Sequence, residues 1–314
     1  MLAIKTLFPK SIIFRRSVRL MGIHFEISVV GNNPHWADER IDEAIAEIGR
    51  VEKLFSTFSD SAVNKINRHA GVQPVKTHPE IFRLIDRSLQ VSELTHGAFD
   101  ITYFNAERDA DNIEANSGKK PGFKIAAANI NYQSVTLDAK EQTVFLKEKG
   151  MRLGFGAIVN GYAADRAKYI LQMQGVDSGV INAGGDLLTW GSAPENESWT
   201  IANADPAQKT QPFANIVISN MAIATSINAE KYTPIINNKR LPAINPKNGF
   251  PVSEIKSVSI ISPSAELADA MATPVMSIGV NAGLYLINQL NQMACIIVDD
   301  HDRIYTSKDV SIAN

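Results

Sequence analysis

Asp269 and Thr273 stand four residues apart in the segment from Ser264 to Thr273, which Ser264 can open as a helix N-cap. On a helix that spacing puts a carboxylate and a hydroxyl on one face. Hard cations such as Mg²⁺ take a few oxygen ligands from protein and fill the rest of their shell with water or substrate phosphates, so the pair suits such an ion. It equally suits a polar helix edge whose hydroxyl bonds back to its own turn. Gly154, Gly156 and Gly161 surround the start of a helix from Tyr162 to Met173, where free backbone N–H groups and the helix dipole can hold a phosphate. Their spacing fits neither Gly-x-Gly-x-x-Gly nor the Lys-bearing P-loop, and glycines also serve plain turns. Asn182-Ala-Gly-Gly-Asp186 reads as a strand end with a glycine pair, open either to close approach of a ligand or to a tight turn.

The elements that must position these groups follow from hydrophobic periodicity. Ile23, Phe25, Ile27 and Val29 alternate as a half-buried strand. Asp38 can cap a helix whose stripe is Ile41, Ile45, Ile48 and Val51 up to Phe55. A second helix runs from about Pro79 with Ile81, Leu84, Ile85 and Leu89 inward and Gly97 at its end, and a loop is expected between the two. The stretch Asn105 to Gly122 is polar and unpatterned, which predicts a solvated loop. Further strands are predicted at Ser134 to Leu137, Thr143 to Leu146, Gly179 to Asn182, Ala214 to Ser219, Ser257 to Ile261 and Ala294 to Val298, with a helix around Ala282 to Met293. Strands and helices do not alternate as βαβ units, which favours α+β over a doubly wound sheet.

Composition narrows the function. With 45% apolar and 20% charged residues in 314, the chain can bury a sizeable core. A formal charge of −2 gives no field that would draw nucleic acid or an anionic membrane. One cysteine, Cys295, excludes an internal disulfide and Cys-rich metal clusters, so any metal must sit on oxygen. Residues 1 to 20 carry Lys5, Lys10, Arg15, Arg16 and Arg19 and no acid, and residues 1 to 17 read as a basic N-terminal arm. The apolar run Ile12 to Phe14 is too short for a secretory core or a membrane span, and there is no lipidated cysteine, which predicts a cytoplasmic protein.

In order along the chain, these segments resemble the FAD:protein FMN transferase family. The resemblance rests on Met21-Gly22, Phe55 to Ser61 through Asn67, Gly97-Ala-Phe-Asp-Ile-Thr102 and Gly154 to Asp165. It continues through Asn182 to Asp186, Ala224-Thr-Ser226, Ile244 to Val252 and Ala268 to Thr273. It implies a two-lobed α+β fold over residues 18 to 314, with mixed sheets flanked by helices and a cleft for FAD and Mg²⁺ between the lobes. It further implies that Met21, Phe58, Ala98, Phe99, Asp100, Gly154, Asn160, Gly184, Gly185, Thr225, Ser226 and Ile244 line FAD. Asp269, Thr273 and the turn from Ala157 to Val159 would hold the metal. The implied reaction moves FMN from FAD to a Thr or Ser hydroxyl of an acceptor protein and releases AMP. Members of the family are usually exported, unlike the location this sequence predicts.

The chain also departs from the family's pattern. Ile23 stands where a threonine is usual, Asn160 where a lysine or glutamate is, Ile227 in place of a glycine, Ala243 in place of a histidine, and Gly154 where an aspartate is often found. The implied catalytic positions are thus Asp269, Asn160 and Ala243. A second class of function stays open on this reading, a homologue that binds a flavin, a nucleotide or a protein partner without turnover.

Overall fold

A computed structural model describes residues 11–57, 60–104, 131–205, 213–227, 255–308 and 310. In chain order the elements are β1 (Ile12–Leu20), β2 (Ile23–Gly31), α1 (Pro34–Phe55), α2 (Ala62–Arg68), β3 (Val75–Lys76), α3 (Pro79–Leu94) and β4 (Thr102–Phe104). Then come β5 (Val135–Asp138), β6 (Thr143–Leu146), β7 (Met151–Leu153), α4 (Val159–Met173), β8 (Gly179–Ala183), β9 (Asp186–Trp190) and α5 (Ile201–Ala204). The last are β10 (Ala222–Ile227), β11 (Ile255–Ser262), α6 (Ala265–Ile278), α7 (Val280–Ile287), β12 (Ala294–Asp299) and β13 (Ile304–Thr306). The chain divides into two compact units, one of residues 1–49 and 160–314, the other of residues 50–159.

The first unit carries an eight-stranded sheet in the order β1-β2-β8-β9-β10-β11-β12-β13. Every pairing in it is antiparallel, and so are those of the second unit's sheets, β3-β6-β5 and β4-β7. The expectation of mixed sheets is corrected on this point: short turns join the successive strands β1-β2, β8-β9 and β12-β13, and such turns allow only antiparallel neighbours. On β10, Ile223 enters a cluster with Val180, Leu187, Trp199, Phe213 and Ile296. Its neighbours Ala222 and Ala224 point the other way, and with Ala265 and Ala268 they line a small cavity. Alanine on both sides lets α6 pack closely on β10 and β11.

Several element boundaries differ from the sequence expectations. Residues 12–17, read as part of a basic arm, belong to β1, where Arg15 and Arg16 pair with Ser28 and Ile27 across the hairpin. α1 starts at Pro34 rather than after Asp38, because Asn33 Oδ1 takes the Trp36 N–H at 3.2 Å. The expected loop before α3 contains α2, opened by Ser61, whose hydroxyl accepts from Asn64 N. Ala214 to Ser219 is turn with one isolated bridge at Val217, since Ile218 is buried in the cluster around Trp199 rather than by a ladder. α7 ends at Ile287, well short of Met293. α6 continues past Thr273 through Pro274 to Ile278, where buried Val275 and Met276 offset the lost backbone bond. The Asn105 to Gly122 loop lies outside the described residues. Among the described residues no helix is long and apolar enough to cross a membrane.

Candidate functional site

Two helix ends interlock at the centre of the site. Gly161, in the first turn of α4, has no room for a side chain: a Cβ there would lie 2.3 Å from the carbonyl oxygen of Ala265. The N–H groups of a first helical turn have no partner within the helix, and that of Gly161 donates to Asp269 Oδ2 at 3.2 Å. One turn later Asp165 accepts from the Ser264 hydroxyl at 2.8 Å and from the N–H groups of Ala265 and Glu266, both at 3.0 Å. A carboxylate at a helix N-terminus also gains from the dipole. Burial nevertheless pushes the Asp165 carboxyl above its ordinary range, against the pull of these donors. α4 thereby fixes the start of α6 and the face that carries Asp269 and Thr273.

On the sheet side, Asp186 opens β9 and accepts the Thr225 N–H at 2.8 Å. The Thr225 hydroxyl meets Ser259 Oγ at 2.8 Å, and the Ser226 hydroxyl meets Thr273 Oγ1 at 3.2 Å. Burial raises Asp269 to about 6 and Asp186 to about 7, and the charge of Asp269 adds to the rise at Asp186. The apolar wall explains the burial, since the cavity beside Asp186 is lined mainly by alanine, leucine and isoleucine. Two carboxylates, two hydroxyls and a helix N-terminus therefore converge within the first unit. The sequence points to Asp269, Thr273, Thr225 and Ser226 and to Gly161 as part of a phosphate-holding helix start, and gives no role to Asp165 or Asp186. Asp186 closes the Asn182 to Asp186 segment, in which the sequence pattern marks only the glycine pair.

The glycines themselves form the two-residue turn between β8 and β9, with φ of +68° at Gly184 and +111° at Gly185. The Gly185 N–H bonds to Asn182 Oδ1 at 2.8 Å and the Gly184 N–H to the His24 carbonyl at 2.8 Å. The Ile23 side chain lies 3.3 Å from where a Gly184 Cβ would stand, so this turn neighbours the one at Met21 and Gly22. Met21 has φ of 53°, a left-handed conformation uncommon for such a side chain. Asn160 is half-buried in the first turn of α4.

In the second unit, Asp100 accepts the N–H groups of Thr102 at 2.8 Å and Tyr132 at 3.0 Å, so both carboxylate oxygens already order the local turn. Ala98 and Phe99 follow α3 and bond back to Thr95, through its carbonyl and hydroxyl respectively, each at 3.0 Å. Gly154 donates to the Ile101 carbonyl at 2.8 Å, and a Cβ on it would lie 3.0 Å from the Tyr103 ring. Ala157 is exposed, and Val159 bonds to the Phe155 carbonyl at 2.9 Å where α4 begins. Phe58, Ala243 and Ile244 lie outside the described residues. The structure thus brings Asp269, Thr273, Thr225 and Ser226 together in one unit, and Ala98, Phe99, Asp100 and Gly154 belong to the other.

The first unit is an antiparallel α+β fold that sets carboxylate and hydroxyl oxygens beside the first turn of a helix. The sequence matches the ApbE family over residues 21–297, and the chain belongs to that family. A FAD:protein FMN transferase of Klebsiella pneumoniae (strain 342) is 28% identical over 288 residues, spanning 85% of this chain and 85% of the relative. One from Treponema pallidum (strain Nichols) is 26% identical over 289 residues, spanning 86% and 80%. Among solved structures, the flavinyl transferase ApbE of Pseudomonas stutzeri in its apo form superimposes with a TM-score of 0.70 at 21% identity, over 95% of this chain and 96% of that one. The ApbE protein of Thermotoga maritima gives 0.69 at 24% identity, over 95% and 97%. At such identities these two likenesses speak for the fold.

Proposed function

We propose that this chain transfers the FMN half of FAD to a Thr or Ser hydroxyl of an acceptor protein. Family membership supports the reaction class, and the observation that carries it is the Asp269–Thr273 face of α6, tied to the α4 N-terminus through Gly161. The acceptor oxygen attacks the phosphorus on the FMN side, the bond from that phosphorus to the bridging oxygen breaks, and AMP leaves with the bridging oxygen. Such transfers need little covalent chemistry from protein and depend on positioning and charge stabilisation.

The donor set fits Mg²⁺. It is all oxygen, and two carboxylates that burial holds above their ordinary range, with the charge of Asp269 adding to the rise at Asp186, favour a compact divalent ion. Asp269 and Thr273 would hold the ion. When bound, it supplies charge neutralisation at the pyrophosphate. The chain's own contributions are distinct from this. The Gly161 N–H keeps Asp269 turned inward, and Asp165 holds the α6 start in register with α4. The Gly184–Gly185 turn, without side chains, lets a ligand approach the backbone beside Asp186.

The test is incubation of the purified chain with FAD, Mg²⁺ and an acceptor protein carrying a flavinylatable Thr or Ser. Expected are a covalently fluorescent acceptor and released AMP, both lost with chelator and in Asp269→Asn. An unlabelled acceptor with no AMP under these conditions overturns the reading.

A further inference from the structure

The Thr273 hydroxyl has a partner on a neighbouring element whose role the metal reading alone does not explain. Its oxygen lies 3.2 Å from Ser226 Oγ at the end of β10, where either group can donate. We propose, resting on the cation-binding reading above, that Ser226 is a positioning residue that accepts the Thr273 proton and so turns the Thr273 lone pairs toward a divalent cation held with Asp269.

A hydroxyl that coordinates through oxygen keeps its proton and must donate it elsewhere. In a helix, threonine splits between two rotamers because its hydroxyl can bond a carbonyl three or four residues back. For Thr273 the carbonyl four residues back belongs to Asp269, and a bond there would direct the proton along the helix. Ser226 offers an acceptor outside the helix and selects against that rotamer. Its own place is fixed from three sides. Ser226 pairs with Val258 in the β10–β11 ladder, the preceding Thr225 N–H is anchored on Asp186 at 2.8 Å, and the Thr225 hydroxyl is anchored on Ser259 at 2.8 Å. Strand alternation then directs Ser226 to the side opposite Thr225, where Thr273 lies. The Ser226–Thr273 pair remains open to solvent, so the effect belongs at the low end for a residue that supports a metal ligand, about tenfold in metal affinity.

The experiment titrates Mn²⁺ into the full chain with FAD present and follows the electron paramagnetic resonance signal of free Mn²⁺, with an FAD-only blank. Ser226→Ala should weaken binding about tenfold and Ser226→Thr should retain it. In a double-mutant cycle, Ser226→Ala should cost nothing further once Thr273→Val has removed the hydroxyl through which it acts. Circular dichroism on each variant confirms the fold. Unchanged Mn²⁺ affinity in Ser226→Ala, or equal losses with and without the Thr273 hydroxyl, overturns the positioning role while leaving the transferase reading intact. Unchanged affinity in Asp269→Asn, or no Mn²⁺ binding by the unmodified chain, overturns the cation site and this proposal with it.

Discussion

Replacing Gly161 with alanine sets two effects of opposite sign against each other. Helix propensity favours alanine inside α4 by about 1 kcal/mol. The added methyl would lie 2.3 Å from the Ala265 oxygen, 2.6 Å from its carbonyl carbon and 2.8 Å from Glu266 N, all backbone atoms that cannot rotate away. Non-bonded atoms of this size settle near about 3.5 Å, so α4 and α6 must part by about 1 Å. Overpacking of that kind costs about 1 to 3 kcal/mol. Separation also stretches the bond from Gly161 to Asp269 and the three to Asp165, and each hydrogen bond to a charged group contributes about 1.5 to 3 kcal/mol. Partial loss of two of them outweighs propensity, giving a net destabilisation of about 2 to 4 kcal/mol. Urea denaturation of both proteins measures it, and Mn²⁺ titration should show weaker binding in the variant. A Gly161→Ala protein more stable than its parent, with unaltered Mn²⁺ affinity, would refute the reasoning that these helices meet backbone to backbone.

The folded-state values of about 7 for Asp186 and about 6 for Asp269 exceed that of an unfolded carboxylate, near ~4. The cation-free fold therefore binds more protons than the unfolded chain, and stability falls as pH rises from ~4 to ~7. Asp186→Asn should flatten that fall in chemical denaturation, and coincident pH profiles for variant and parent would count against it. Cation affinity should rise over the same window, because the ligands must lose their protons. Met21→Gly relieves the left-handed backbone at 53° and should raise stability by about 1 kcal/mol while lowering FAD affinity in fluorescence titration. Gly154→Asp should destabilise the second unit, because its Cβ would press on the Tyr103 ring at 3.0 Å, and Tyr103→Val should rescue it in thermal melts. Equal melting temperatures with and without Tyr103 would refute that coupling.

What could be read from sequence was set by how local the physics is. The i, i+4 spacing of Asp269 and Thr273 depends on one helix, and α6 carries them on one face as expected. The strand at Thr143 to Leu146 and the antiparallel-friendly alternation of β2 are likewise properties of short windows. Asp165 looked like any charge on an amphipathic helix, because its role as a cap for α6 spans about a hundred residues of sequence. Asp186 was hidden for the same reason, since its partner Thr225 and its neighbour Asp269 come from distant strand and helix segments. The helix expected from Ser264 to Thr273 runs on through Pro274 to Ile278, where burial of the residues after the proline outweighs the local helix-breaking rule.

The departures from the family's pattern and the retained residues differ in how they are attached. Gly161, Asp165, Asp186 and Asp269 each meet backbone atoms of another element, so changing any one of them moves a helix or a strand end. Ile23 and Gly154 meet their packing neighbours through side chains: the Ile23 side chain faces the Gly184 turn, and the Tyr103 ring fills the space where a Gly154 Cβ would stand. Ile227 stands at the strand end with 61% of its surface exposed. Side-chain neighbours can adjust by rotation, and backbone neighbours cannot. Substitution at the second group therefore alters what the site admits while leaving its framework in place. Differences of substrate or rate should trace to Ile23, Gly154 and Ile227, whose packing neighbours are side chains or solvent.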